Sequence, residues 1–208
     1  MKFMTRMMVI ILVLALAKPV GAGPYEDGWE AYLRGDYATA LRLLRPLAEN
    51  GNAMAQCDLG YMYETSKGVP RDHELAVKWF RLAADQGYAK AQYQLGSMYY
   101  KGQTSYRTSS GGVVIVNEGN QQDYGLAMKW LRLAADQGYG GAPFYLGEMY
   151  SHGHGVPQDY VLAHMWYNLA GASGNMGAQE RRDVLAEKMT PSQIEEAQRL
   201  AREWRRTP

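Results

Sequence analysis

The chain has 208 residues, and its 22 basic and 21 acidic side chains give a net charge of +1. That balance lacks the basic footprint of a nucleic-acid binder. One cysteine, Cys57, excludes an internal disulfide, so packing alone must hold the fold.

Residues 1–22 read as a signal peptide. Lys2 and Arg6 form a basic start, and Met7 to Ala17 are an uncharged run of 11 residues. Such a run is short of the roughly 20 residues a membrane helix needs, and it suits the apolar core of a leader. Val20-Gly21-Ala22 places small residues ahead of a cut, so the mature chain is expected to begin at Gly23 and to be periplasmic or secreted. Ala15-Leu16-Ala17 offers a second cut inside the run, and an uncleaved anchor is the competing reading. No cysteine follows the run, so a lipoprotein is not indicated. Cleavage leaves 19 basic against 21 acidic residues, a charge of −2, on a chain that is not an integral membrane protein.

Beyond Gly23 the sequence repeats itself. Residues 82–88 and 133–139 both read LAADQGY. Ala55-Gln56-Cys57-Asp58-Leu59-Gly60-Tyr61-Met62-Tyr63 returns 36 residues later from Ala91 and, after a further 51 residues, from Ala142, so one copy carries a 15-residue insertion. Each copy opens with a helix whose Ala, Leu-Gly and Tyr share one face of a 3.6-residue period. A Gly-Val-Pro loop breaks it, as at Gly68-Val69-Pro70. Asp72, Asp123 and Asp159 then cap a second helix, on which Ala76, Trp79 and Ala83 and their counterparts mark a buried stripe. Gly87 or Gly138 supplies the left-handed stop. A unit of this length cannot bury its own apolar face, so the copies must stack into a solenoid.

The run A-x3-LG-x2-Y, a Gly-Val loop, then D-x3-A-x2-W-x3-AA-x2-G, resembles the Sel1-like repeat, a relative of the tetratricopeptide repeat, over residues 53–175. The resemblance implies an all-α fold, a right-handed α/α solenoid of helix-pair repeats. Residues 23–52 look like a degenerate first copy with Leu43 in place of Trp, followed by repeats at 53–88, 89–139 with an inserted loop 103–121, and 140–175. Residues 176–208 supply capping helices, the last opened by Thr190-Pro191-Ser192-Gln193 as a capping box. Its stripe is Ile194, Ala197, Leu200, Ala201 and Trp204. Arg199, Arg202, Arg205 and Arg206 at its end offset the helix dipole. Within the insertion, residues 104–108 and 113–116 read as two short strands about a Ser-Gly turn, either a partner-binding hairpin or a tolerated excursion.

Comparing copies separates framework from surface. Leu59, Leu95 and Leu146, Gly60, Gly96 and Gly147, and Trp79, Trp130 and Trp166 recur and read as structural anchors. In tetratricopeptide-like arrays the first helix of each pair lines the concave face, and by that resemblance the variable residues Tyr61, Tyr93, Ser97, Tyr100, Phe144 and Glu148 are candidates for partner contact in the groove. Aromatic rings suit a protein or peptide partner, though the same rings could pack only on neighbouring repeats. Cys57 reads as a small apolar filler. His152 and His154 stand in a Gly-rich loop, but no cysteine pair or third local histidine completes a zinc site, and their counterparts are Thr65 and Lys67; no metal is expected. His73 and His164 read as surface or packing groups. No G-x-S-x-G elbow, P-loop, G-x-G-x-x-G turn or H-E-x-x-H helix occurs, so the chain reads as a non-enzyme without a cofactor. The cysteine pairs of penicillin-linked relatives are absent.

The expected function is an exported scaffold that binds a protein or peptide partner in bacterial envelope assembly, signalling or host contact. The alternatives are a carbohydrate- or peptidoglycan-binding module and an envelope hydrolase. Residues 1–40 fused to a reporter active only outside the cytoplasm should give signal, and N-terminal sequencing of the mature protein should start at Gly23. Retention of the full-length protein in the cytoplasm would remove the export assignment.

Overall fold

The computed structural model describes residues 23–102 and 123–204, which form helices and connecting turns. In chain order these are α1 (Pro24–Leu33), α2 (Tyr37–Glu49), α3 (Ala53–Thr65), α4 (His73–Asp85), α5 (Ala89–Lys101), α6 (Tyr124–Asp136), α7 (Ala142–His152), α8 (Tyr160–Ala172), α9 (Met176–Ala186) and α10 (Pro191–Trp204). The leader and the insertion strands lie outside the described residues.

Each second helix starts where its aspartate stands. Asp36, Asp72, Asp123 and Asp159 accept the N–H three residues ahead at 3.1, 2.9, 2.9 and 3.0 Å, satisfying a donor the first turn cannot bond internally. Asn52 and Asn175 do the same for α3 and α9. Gly87 and Gly138 end α4 and α6 at φ of 85° and 77°, a region open to glycine at little cost.

Helices contact their chain neighbours in turn from α1 to α9, and α10 folds back onto α8. This is the serial packing of an all-α solenoid. Within each pair the first helix carries a glycine against a bulky residue of the second. A Cβ built on Gly28, Gly60, Gly96 or Gly147 would come within 2.8 Å of Leu44, 2.8 Å of Phe80, 2.7 Å of Leu131 and 2.5 Å of Tyr167. Those four knobs are fully buried. Each stands one position after the repeated Trp, or Leu43, which the sequence pattern had singled out. Trp166 and Trp130 are buried, at 1% and 6% exposure, whereas Trp79 is only half-buried, at the edge of the N-terminal core cluster. As the central anchor of repeat 1 it gives way to Phe80.

Glutamines join consecutive pairs. Gln56 Nε2 donates to the Ala48 carbonyl at 3.0 Å and its Oε1 accepts from Gln86 at 2.7 Å. Gln92 repeats this with Ala84 and Gln137 at 3.2 and 2.7 Å. Gln179 reaches Gly171 at 3.1 Å. At the junction between repeats 2 and 3, Pro143 and Ser173 occupy the two glutamine positions.

Both ends of the insertion keep the geometry of an ordinary loop. Asp123 N donates to Tyr99 O at 3.2 Å, as Asp72 N does to Tyr63 O and Asp159 N to Tyr150 O at 3.1 and 3.0 Å. The flanks of the insertion are therefore joined as in the other repeats, and a longer loop between fixed ends costs little further closure entropy. At the chain's end, Thr190 and Gln193 form a reciprocal capping box. Ala197 and Ala201 are buried, Leu200 and Trp204 pack on the main core, and Trp204 meets Trp166 edge-on at 4.8 Å.

Overpacking costs about 1–3 kcal/mol, and the helical preference of Ala over Gly returns at most about 1 kcal/mol, so Gly60→Ala should destabilise the chain in urea titrations. The three nearest atoms there all belong to the Phe80 ring, so Phe80→Leu in the same chain should recover most of the loss. Gly96→Ala should resist rescue by Leu131→Ala, because the backbone nitrogen of Leu131 lies 3.0 Å from the new Cβ. Equal rescue in both pairs would show that side chains alone set the helix spacing.

Candidate functional site: the face of the first helices

The first helices of successive pairs draw together on one side of the stack. α5 meets α7 directly, and no two second helices among α2, α4, α6 and α8 make a comparable contact. Together with the Asp58 contacts to α1 and α5, this sets α1, α3, α5 and α7 on one side of the stack. The site lies along this face.

At its N-terminal end, Asp58 is 4% exposed and ties three first helices together. Tyr25 of α1 donates its hydroxyl to Oδ2 at 2.7 Å, and Lys90 of α5 reaches Oδ1 at 3.2 Å. Lys90 Nζ also lies over the Trp29 ring, 5.4 Å from its centroid. Burial and the neighbouring carboxylate push the Tyr25 phenol far above its ordinary range, so it remains a hydrogen-bond donor. Asp58 is not among the sequence candidates, although Gln94 and Tyr145 stand in its place in the other copies.

The centre of the face is a tyrosine cluster between repeats 2 and 3. Tyr93 packs on Tyr139 at 4.9 Å and Tyr145 at 6.0 Å. Tyr100 meets Tyr145 edge-on at 5.2 Å and Tyr124 at 5.7 Å. Lys101 lies over the Tyr145 ring at 5.8 Å. Burial pushes the phenols of Tyr93 and Tyr100 up to about 12. The cluster is therefore uncharged around neutrality, with half-buried rings whose outer edges face solvent.

The six candidates divide. Tyr61, Tyr93 and Tyr100 stand on the first helices with half-exposed rings, Tyr61 edge-on to Tyr32 at 6.4 Å. Tyr93 also wedges into the junction, since a Cβ on Gly141 would come within 2.9 Å of its ring. Ser97 is covered, at 3% exposure, and its hydroxyl donates to the Gln94 carbonyl at 2.9 Å, so it offers a partner nothing. Phe144 turns toward the following pair, packing on Tyr167 and the cluster containing Ala178. Glu148 serves the fold first: it accepts the Tyr167 hydroxyl at 2.6 Å and faces Arg181 at 3.7 Å. A tyrosine knob on Gly147 needs that partner for its buried hydroxyl, a pairing across two helices that no spacing within one helix marks.

His154 stacks flat on Tyr124 at 4.6 Å, and its counterpart Lys67 lies over Tyr37 at 5.4 Å. Both side chains hold their loop against the preceding repeat. Among the described residues no group of three or more His, Cys, Asp or Glu side chains gathers into a metal site, and no helix is long and apolar enough to cross a membrane.

The sequence model of the Sel1 repeat matches residues 20–52, 53–88, 89–108, 116–139 and 142–175. The chain belongs to the Sel1 repeat family. Among solved structures it is similar to a Sel1 repeat protein from Oxalobacter formigenes, with 30% identity and a TM-score of 0.63 over 76% of this chain and 58% of that one. It is also similar to c5321, described as a protective antigen of uropathogenic Escherichia coli strains with an SLR fold, at 25% identity and a TM-score of 0.56, covering 88% and 45%. The chain thus spans about half the length of each. A comparison with curated proteins finds no match.

Cys57, beneath this face, is fully buried, and burial pushes its thiol up to about 12. Alkylation needs the thiolate. Iodoacetamide at pH 8 should therefore label Cys57 only as the protein unfolds, with a denaturant midpoint equal to that of the helical signal. Labelling in native buffer at the rate of a free thiol would contradict the buried placement.

Proposed function

We propose that this protein is an exported, non-enzymatic scaffold that holds a protein or peptide partner along the concave face of its first helices. Sel1 repeats generally mediate protein–protein interactions. The observation that carries the reading here is the cluster of Tyr93, Tyr100, Tyr139 and Tyr145, four half-buried rings on the inner side of a junction. Rigid rings with an apolar body and a neutral hydroxyl contribute contact area and hydrogen bonds at low entropic cost. Tyr61 and Tyr32 extend the strip toward the N-terminus, and Lys101 borders it with positive charge.

Export to the periplasm or beyond rests on the basic and apolar leader at residues 1–22. The antigen among its structural relatives is in keeping with an envelope or host-facing role. Packing sets the limit on which residues can be altered without harm to the fold. Tyr93 bridges repeats, so Tyr61 and Tyr100 are the cleaner probes.

Photocrosslinking in cells from position 100 should capture a protein partner, while the same probe at Lys78, exposed on α4, should not. The Tyr61→Ser, Tyr100→Ser double variant should retain cooperative melting and reduce capture from a probe placed at position 94 by about tenfold or more, the scale of a lost aromatic contact. Equal capture from positions 78 and 100, or undiminished capture by the double variant, would overturn the concave-face reading. Recovery of glycan in place of protein would assign the face to the carbohydrate alternative.

A further inference from the structure

A second concavity lies away from the tyrosine strip, at the C-terminal end. α9 and α10 both pack on α8 without a substantial contact between them, and the cleft they leave has a volume of about 460 Å³. One face of each helix lines it: His164 and Asn168 from α8, Arg182, Asp183 and Ala186 from α9, and Ile194, Gln198 and Arg202 from α10. The i, i+4 spacing on α8 and the i, i+4, i+8 spacing on α10 aim these side chains the same way.

Two groups in the cleft go unused by the fold. His164 is 3% exposed, and its Nδ1 is buried with no hydrogen-bond partner. Buried polar groups are nearly always satisfied, and a group bound in the cleft would supply the partner that the chain does not. Burial and the Arg182 guanidinium lower the His164 pKa, which keeps its ring neutral near pH 7. Arg202 is exposed at the cleft wall and has no ion-pair partner among the described residues. Arg182, by contrast, is held by Asp183, its Nε and Nη2 lying 2.8 and 2.7 Å from Oδ1.

From this arrangement we infer that the cleft between α8, α9 and α10 binds a peptide ending in a free carboxylate. Two guanidinium groups and one carboxylate leave the cleft with a net charge of +1, matched to a monoanion. A phosphate dianion would bring its second charge toward Asp183. Arg202, with its planar fork free, is suited to bidentate capture of a carboxylate. The amides of Asn168 and Gln198 can pair with the donor and acceptor of a peptide bond. Ala186 and Ile194 supply an apolar wall for a short aliphatic side chain. The volume falls within the roughly 300–1,000 Å³ of small-ligand sites, room for the last two residues of a chain.

This inference is independent of the concave-face proposal, and Tyr100→Ser should leave it untouched. The test is a titration of the purified chain with N-acetyl-Ala-Ala, followed by amide and imidazole NMR signals. The free acid should shift the signals of His164, Asn168 and Gln198, and N-acetyl-Ala-Ala-amide should not. Arg202→Gln should weaken the acid by about tenfold or more, as expected for a lost charge-assisted pair, without changing the melting temperature, since no ion pair is broken. Arg202→Lys, which keeps the charge and loses the fork, should fall between. Unblocked Ala-Ala binding as well as the acetylated form would assign the site to free dipeptides; weaker binding would assign it to the end of a longer chain. Equal shifts from the amide, wild-type affinity in Arg202→Gln, or equally strong shifts of the same signals by inorganic phosphate would overturn the assignment.

Discussion

The stack depends on the close approach of two helices at a glycine. At Gly28, Gly60, Gly96 and Gly147 the missing Cβ lets Leu44, Phe80, Leu131 or Tyr167 sit directly on the backbone of the partner helix. A methyl group at that point would fall inside the van der Waals radius of its neighbour. Dispersion contacts and apolar burial both peak where backbones come this close. With the spacing inside each pair fixed, each pair's remaining apolar surface faces the next, and the solenoid grows by repetition.

Junctions between pairs are less uniform, and their variation tracks the chemistry of the surface above them. Glutamine side chains join most of them through carbonyls at helix ends. Asp58 adds a buried carboxylate that links α1, α3 and α5 at the N-terminal end. The junction between repeats 2 and 3 has Pro143 and Ser173 where the glutamines would be, and a cleft of about 430 Å³ opens there beside Tyr139 and Trp204. Tyr139 lines that cleft and also packs on Tyr93, so the tyrosine cluster supplies the contact beside it. Aromatic packing has replaced amide hydrogen bonds at this junction.

Several positions that vary between copies prove to be packing variants. Glu148 is present because the knob on Gly147 is a tyrosine whose hydroxyl must be satisfied. Phe144 fills the contact with the capping helix α9, and Cys57 is fully buried in the main core. Variation between repeats therefore reports two things at once: a change in the exposed face and a compensating change in the neighbouring repeat. Tyr93, wedged between copies with one edge in solvent, belongs to both.

Helix number, the aspartate caps, the glycine stops and the capping box at Thr190 and Gln193 were all legible in the sequence, because each depends on residues within a turn of one another. The repeat itself was legible because the same physical problem is solved in register several times. Tertiary structure decided what depends on the angle and depth of contact. It put the knob one residue after the tryptophan, left Trp79 half-exposed while Trp166 is buried, and covered Ser97. It also brought His164, Arg182 and Arg202 from three helices to one cleft. A helical period says which residues share a face; only the packed neighbour decides whether that face is covered, and no spacing within one helix encodes the rotation of the next.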